Sequence, residues 1–264
     1  MKELKNDEVR KTVRETYGKI AETGAAGCGC DCDGGPASDS TAEDPSIRLG
    51  YTPEDVSTVP EGANLGLGCG NPQAIASLQT GETVIDLGSG GGFDCFLAAK
   101  AVGETGHVIG VDMTPEMISK SRENAEQAGL GNVEFRLGEI EALPVADSSV
   151  DVIVSNCVIN LSPEKPKVFQ EALRILKSGG RLAITDMVAT APLPDEVRQD
   201  LKLHAGCLAG ATPIDEVKSM LEEAGFTDIG IKPIDGGKQF VREWVPDTKI
   251  ADVVVSATIE AVKP

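Results

Sequence analysis

Apolar residues recur at helical spacing near the N-terminus, at Val9, Val13, Tyr17 and Ile20, and predict a helix over 7–22 with Asp7 as its N-cap. The pattern then lapses. Residues 24–45, GAAGCGCDCDGGPASDSTAEDP, are rich in Gly and Asp and show no period, so they read as a loop. A short helix is expected over 51–59 behind Thr52-Pro53, and NLGLGCGN, 64–71, reads as a glycine-rich loop. From Thr83 the rhythm becomes regular. Short apolar runs at 83–87, 107–112, 133–137, 150–155 and 181–186 alternate with helical stretches at 93–101, 115–128 and 165–176, the last closing at Ser178-Gly179-Gly180. That alternation predicts a parallel sheet with helices on both faces. Residues 187–212 interrupt it with a Pro-rich turn and one helical stretch. A helix over 214–224 follows, and 227–233 and 252–261 read as two strands that pair antiparallel at one sheet edge.

Composition narrows the partners. The formal net charge of −18 over 264 residues repels phosphate backbones and anionic lipid, which argues against nucleic acid and membrane. No apolar run approaches the roughly 18 residues of a membrane span. The charged start MKELKNDEVRKTVRE lacks a signal peptide's apolar segment, so a cytoplasmic protein is expected. Seven cysteines, an odd number without a secretion signal, fit reduced thiols for soft-ion or redox chemistry better than a disulfide framework.

The strongest chemical signal is VIDLGSGGGFD, 84–94. A glycine turn after a first strand lets a ligand approach the backbone and presents amides at a helix N-terminus. Asp112, ending the next strand, can accept both hydroxyls of a ribose. A dinucleotide enzyme would fit this much equally well. Asp86 separates the two cases: two residues before the turn's first glycine, a carboxylate suits a sulfonium or amino group and repels a pyrophosphate. The third strand runs into RLGEIEALP, where Gly138 and Glu139 can flank an adenine amino group, and the fourth ends at Asn156. All of these strand ends converge on one crevice.

Through DLGSGGG, VDMTPEMI, the acidic third-strand end and LKSGGRL, residues 80–186 resemble the class I S-adenosylmethionine-dependent methyltransferases. The resemblance implies an α/β fold with a Rossmann-like seven-stranded sheet, mostly parallel with an antiparallel edge strand, and S-adenosyl-L-methionine as methyl donor. It places Asp86, Gly88 and Gly90 near the methionine moiety, Asp112 and Met113 at the ribose and adenine, Gly138 and Glu139 by the base, and Asn156 below the methyl group. Residues 1–70 then form an N-terminal helix and Cys/Gly-rich extension, and 71–264 the methyltransferase domain, with 187–212 as an acceptor-site insert.

Fold alone does not name the acceptor. Cys69 precedes the first strand, Cys157 follows Asn156, and Cys207 lies in the insert, three segments expected to meet above the donor. Cys95, inside the helix after the glycine turn, reads as a small buried hydrophobe. Three thiolates can bind a soft trivalent ion, whereas zinc usually takes four ligands in CxxC-type pairs that these three do not form. With NLGLGCGNP, SNCVINLSPEK and CLAGA together, the whole chain resembles the arsenite S-adenosylmethionine methyltransferases. That resemblance implies that Cys69, Cys157 and Cys207 bind As(III) and that arsenite or its thiol conjugate is the substrate. It also implies an external thiol reductant such as thioredoxin or glutathione, and an N-terminal cysteine that forms a disulfide with Cys69. Cys28, Cys30 and Cys32 are the three candidates for that redox role, with an extra metal-capturing site as the alternative.

Two rival functions remain. A small-molecule C- or O-methyltransferase of the quinone or sterol type needs a catalytic base and an apolar pocket, and His204 is its candidate base. A non-catalytic arsenic or metal sensor would keep the cysteines but need no donor site, and the intact glycine turn and Asp112 argue against it.

Overall fold

Val84 and Ile85 are neighbours in sequence yet lie on opposite sides of a sheet, each fully buried in a different core cluster. The computed structural model describes residues 5–24, 44–234, 241–242 and 250–264. Its N-terminal part comprises α1 (Asn6–Thr23) and three short helices, α2 (Pro45–Arg48), α3 (Pro53–Thr58) and α4 (Gln73–Ala76). Then follow β1 (Thr83–Leu87), α5 (Phe93–Val102), β2 (His107–Asp112), α6 (Pro115–Ala128), β3 (Val133–Leu137) and β4 (Val150–Asn156). After a 3-10 turn, Ile159–Leu161, come α7 (Lys165–Ile175), β5 (Leu176–Ala189), α8 (Asp195–Arg198), α9 (Leu201–Ala205) and β6 (Thr212–Pro213). The chain closes with α10 (Ile214–Ala224), β7 (Thr227–Pro233), a helical turn at Ile250–Val253 and β8 (Val254–Val262).

The strands form one sheet in the order β3-β2-β1-β4-β5-β8-β7, with the two-residue β6 beside β5. β1 to β5 run parallel, while β8 pairs antiparallel with both β5 and β7. Alternate residues serve alternate faces. Ile85, Leu87 and Ile153 pack with Val168, Phe169 and Leu221 of α7 and α10, whereas Val84, Val152 and Val154 pack with Cys95, Phe96 and Ala98 of α5. Covering both faces is what near-continuous apolar strands require. Strand order reverses between β1 and β4, and the crevice beyond their C-terminal ends is where ligands bind in this kind of sheet.

Several boundaries differ from expectation. α1 begins at Asn6 with Lys5 as N-cap and no side-chain cap; Asp7 and Glu8 lie inside its first turn, where they oppose the helix dipole's positive end. β5 begins at Leu176, which pairs with Val150 of β4 ahead of a register shift, and the glycine pair is tied to β8's end: the Gly179 amide donates to the Lys263 carbonyl and the Lys263 amide to the Gly180 carbonyl. The insert holds two short helices and an eighth strand, and Asp252 lies in the helical turn before β8. As expected, the last two strands pair antiparallel at one sheet edge, with the reversed β8 one place in from it.

Candidate active site

The glycine turn is folded onto β2. The amides of Gly88 and Ser89 both donate to the Val111 carbonyl, at 2.7 and 3.0 Å. Gly88 has φ +72, and a Cβ there would stand 2.4 Å from Val158, so only glycine lets the backbone line the crevice at this point. Asp112 accepts the Gly90 amide on one oxygen at 3.0 Å and the Thr114 amide on the other at 2.8 Å.

One cleft of about 1190 Å³, part of it open to solvent, runs from this turn to the cysteines. Asp86, Gly88, Gly90, Asp112, Met113, Gly138, Asn156, Cys157 and Cys207 line it, roofed by Arg10, Val13 and Tyr17 of α1. Burial pushes the Asp86 carboxyl well above the usual carboxylate range, with the Asp94 charge adding to it. Asp94 is pushed up to about 6 by burial, against hydrogen bonds from Tyr51 and Gln73 that lower it. Neither carboxylate has a basic partner among the described residues, and the Ser89 hydroxyl is buried without a hydrogen-bond partner. Two buried carboxylates without a cationic partner, beside a polar orphan, suit a cationic, hydrogen-bonding ligand, which is the chemistry of S-adenosylmethionine.

Cys69, Cys157 and Cys207 lie in one buried cluster with Leu161, Met187 and Leu208. Three long-range bonds assemble it. The Ser256 hydroxyl donates to the Cys69 carbonyl at 2.5 Å, the Cys69 amide donates to Asn156 Oδ1 at 3.0 Å, and the Cys157 amide donates to the Thr185 carbonyl at 2.8 Å. Hydrogen bonds with the Cys207 and Cys69 side chains, and then burial, push the Cys157 thiol well up, and burial pushes the Cys69 thiol up. In the absence of an ion, both shifts favour the protonated thiol. Cys95 is fully buried as expected, with its thiol donating to Asp86 at 3.4 Å.

Asp186 was not singled out by sequence. One of its carboxylate oxygens lies within 4.8 Å of the Cys69 and Cys157 sulfurs. Burial raises it to about 6, although the Met187 amide and the Lys165 charge pull it down. The signal available was its place at the expected end of a parallel strand, the position already used for Asp112 and Asn156. Tyr51 and Asp94 were also missed, because their roles depend on partners far along the chain.

Other expectations fall elsewhere. Gly138 lines the cleft, but the Glu139 carboxylate turns to Arg10 and Arg14, 3.4 Å from each. The His204 ring is buried against the Leu161 carbonyl at 3.2 Å, and burial lowers its pKa. It is thus a neutral, structurally engaged imidazole away from the cleft lining, which disfavours the quinone-type reading. Cys28, Cys30 and Cys32 lie outside the described residues. No described helix is long and apolar enough to cross a membrane.

Comparison with known proteins agrees with this geometry. Residues 78–225 match the family model of a methyltransferase domain. The chain is 56% identical over 263 residues to an arsenite methyltransferase of Halobacterium salinarum, covering 98% of this chain and 67% of that one. It is 47% identical over 168 residues to an arsenite methyltransferase of Aquipseudomonas alcaligenes, covering 61% and 48%. The curated relatives are therefore longer than this chain. Among solved structures, an arsenic(III) S-adenosylmethionine methyltransferase from Chlamydomonas reinhardtii superposes with a TM-score of 0.63 at 34% identity, covering 84% of this chain and 74% of that one.

Proposed function

This chain belongs to the arsenite methyltransferases, and we propose that it transfers the methyl group of S-adenosylmethionine to As(III) held by Cys69, Cys157 and Cys207. The observation that carries the reading is the meeting of three sequence-distant cysteines in one buried cluster at the end of a cleft whose other end offers Asp86, the glycine turn and Asp112.

The steps balance without a general base. Neutral As(OH)3 approaches an acidic protein unrepelled, and three thiols replace its three hydroxides with release of three waters. Arsenic is then pyramidal with its lone pair free. That lone pair attacks the methyl carbon in line, the sulfonium carbon–sulfur bond breaks, and its electrons stay on sulfur in S-adenosylhomocysteine. The residues contribute chiefly orientation: Asp86, Asp94 and Asp112 hold the donor while the thiols fix the arsenic. Methylation leaves arsenic pentavalent, and returning it to the trivalent state takes two electrons from thiols. Thioredoxin or glutathione in a cytoplasmic setting fits this demand, as does a dithiol drawn from Cys28, Cys30 or Cys32 with Cys69.

Arsenic speciation by liquid chromatography and mass spectrometry, after incubation with donor and glutathione, tests the reading. Methylated arsenicals that vanish when donor is omitted are the expected result. Unchanged arsenite beside intact donor would refute it.

A further inference from the structure

The Asn156 side chain joins the two halves of the site. Its Oδ1 accepts from the Cys69 amide at 3.0 Å and the Thr185 hydroxyl at 3.1 Å. Its Nδ2 donates to the Gly70 carbonyl at 2.8 Å and the Tyr51 hydroxyl at 3.0 Å. Turning the amide over would set two donors against each other at Cys69 and two acceptors at Gly70, so only one orientation is satisfied. Gly68 closes the fit: it has φ +126, and a Cβ there would stand 2.7 Å from Nδ2.

Tyr51 extends this set of bonds to the donor cleft. Its hydroxyl accepts from Asn156 and donates its single proton to the Asp94 carboxylate, 2.8 and 3.0 Å from the two oxygens. The residue is buried, and its ring stands edge-on to Phe93 with centroids 4.8 Å apart. Asp94 lines the donor cleft, and Gln73 also donates to it, at 3.3 Å. A continuous hydrogen-bonded path therefore leads from a donor-side carboxylate through Tyr51 and Asn156 to the backbone of the Cys69 loop.

We propose that Tyr51 is a positioning residue that couples binding of the methyl donor to placement of the Cys69 thiol. This rests on the assignment of the donor cleft and the arsenite thiols made above. A cationic ligand beside Asp94 holds that carboxylate in place, and the carboxylate orients the Tyr51 hydroxyl. The hydroxyl then presents a fixed acceptor to Asn156, whose Oδ1 stays on the Cys69 amide. Order imposed by the first ligand need not be imposed again by the second, so the two bind with positive cooperativity. The coupling is reciprocal, as any binding linkage is.

Titration calorimetry of arsenite into the fully reduced protein, with and without saturating sinefungin as a cationic donor analogue that cannot react, tests this. In the unsubstituted protein sinefungin tightens arsenite binding by roughly fivefold or more. In Tyr51→Phe, which keeps the ring packing, arsenite affinity without sinefungin stays within about twofold and the enhancement falls to about one; a purely structural role would instead weaken binding in both conditions. An equal enhancement in both proteins, or none in the unsubstituted one, overturns the coupling while leaving the methyltransferase reading intact. Failure of arsenite to bind at all overturns both. Hydrogen exchange on the unsubstituted protein gives a reading that does not depend on the variant folding. Sinefungin slows exchange in the peptide containing Cys69, and unchanged exchange there would overturn the proposal.

Discussion

The Cys207 thiol donates to the backbone carbonyl of Cys157 at 2.8 Å, tying the insert after β5 to the end of β4. Both residues hold left-handed backbone, with φ of 62 and 60, a conformation that costs a residue with a side chain roughly 1–2 kcal/mol. The surroundings hold that strain in place, and both residues line the cleft. Serine at 207 can still donate to the carbonyl but is a poor ligand for a soft ion. Cys207→Ser is expected to keep donor affinity and thermal stability while arsenite methylation falls by about 100-fold or more. Cys157→Ser is expected to do the same. Turnover retained in either variant would sink the three-thiol site.

Donor affinity should depend on the Asp94 charge. Its carboxyl is raised from 3.8 to about 6, so it is ionised at neutral pH and gains a proton as the pH falls through that region. Protonation removes an attraction for a cationic donor, and S-adenosylmethionine affinity should drop below about pH 6, at most about tenfold per unit for one proton. Calorimetry from pH 5 to 8 measures it, and Asp94→Asn should flatten the profile at a lower affinity. Linkage to folding has the opposite sense. The folded state binds this proton more tightly than the unfolded one, so the contribution to stability is largest below pH 3.8 and declines as pH rises through about 6. Urea denaturation of the ligand-free Asp94→Asn protein should lack that decline.

Arg10 anchors α1 over the cleft. Its guanidinium, 12% exposed, contacts Glu164 at 2.8 Å, Glu141 at 3.0 Å and Glu139 at 3.4 Å. Burial works against its charge, but these carboxylates outweigh that and hold its pKa above the ordinary value. Arg10→Met leaves three carboxylates without their shared cation, and a drop in Tm of about 5 °C or more is expected. Because α1 roofs the donor cleft, stopped-flow measurements should also show faster donor release. Unchanged Tm and release rate would assign the anchoring of α1 to its apolar face alone.

His204→Gln separates the arsenic reading from a base-dependent one. Gln can reproduce a donation to the Leu161 carbonyl but cannot take up a proton. Methylation of arsenite should stay within about threefold of the unsubstituted rate, well short of the 100-fold or greater loss common on removing a general base. A loss of that larger size would revive the base-dependent chemistry.

The elements were legible in sequence because short-range interactions encode them. Short apolar runs mark β1 and β2, helical spacing marks α1 and α6, and the turn after β1 needs residues that tolerate positive φ. The glycine turn and Asp112 could be read for the same reason: their chemistry lies within a few residues of a strand end. Cys69, Cys157 and Cys207 stood out as residue types in segments that topology brings to one crevice. Tertiary structure decided what each side chain meets there. Tyr51 and Asn156 are 105 positions apart, and nothing in either local segment specifies the hydroxyl that fixes the amide. Asp186 reaches the thiols only because β5 lies beside β4 in one register. Glu139 is adjacent to a cleft glycine, yet α1 draws its carboxylate away through Arg10 and Arg14. Even the N-terminal boundary of β5 was set from a distance, by the pairing of Leu176 with Val150 of β4. Periodicity records which face of an element is buried; the partner across a buried face is chosen by long-range packing, which leaves no trace in the local pattern.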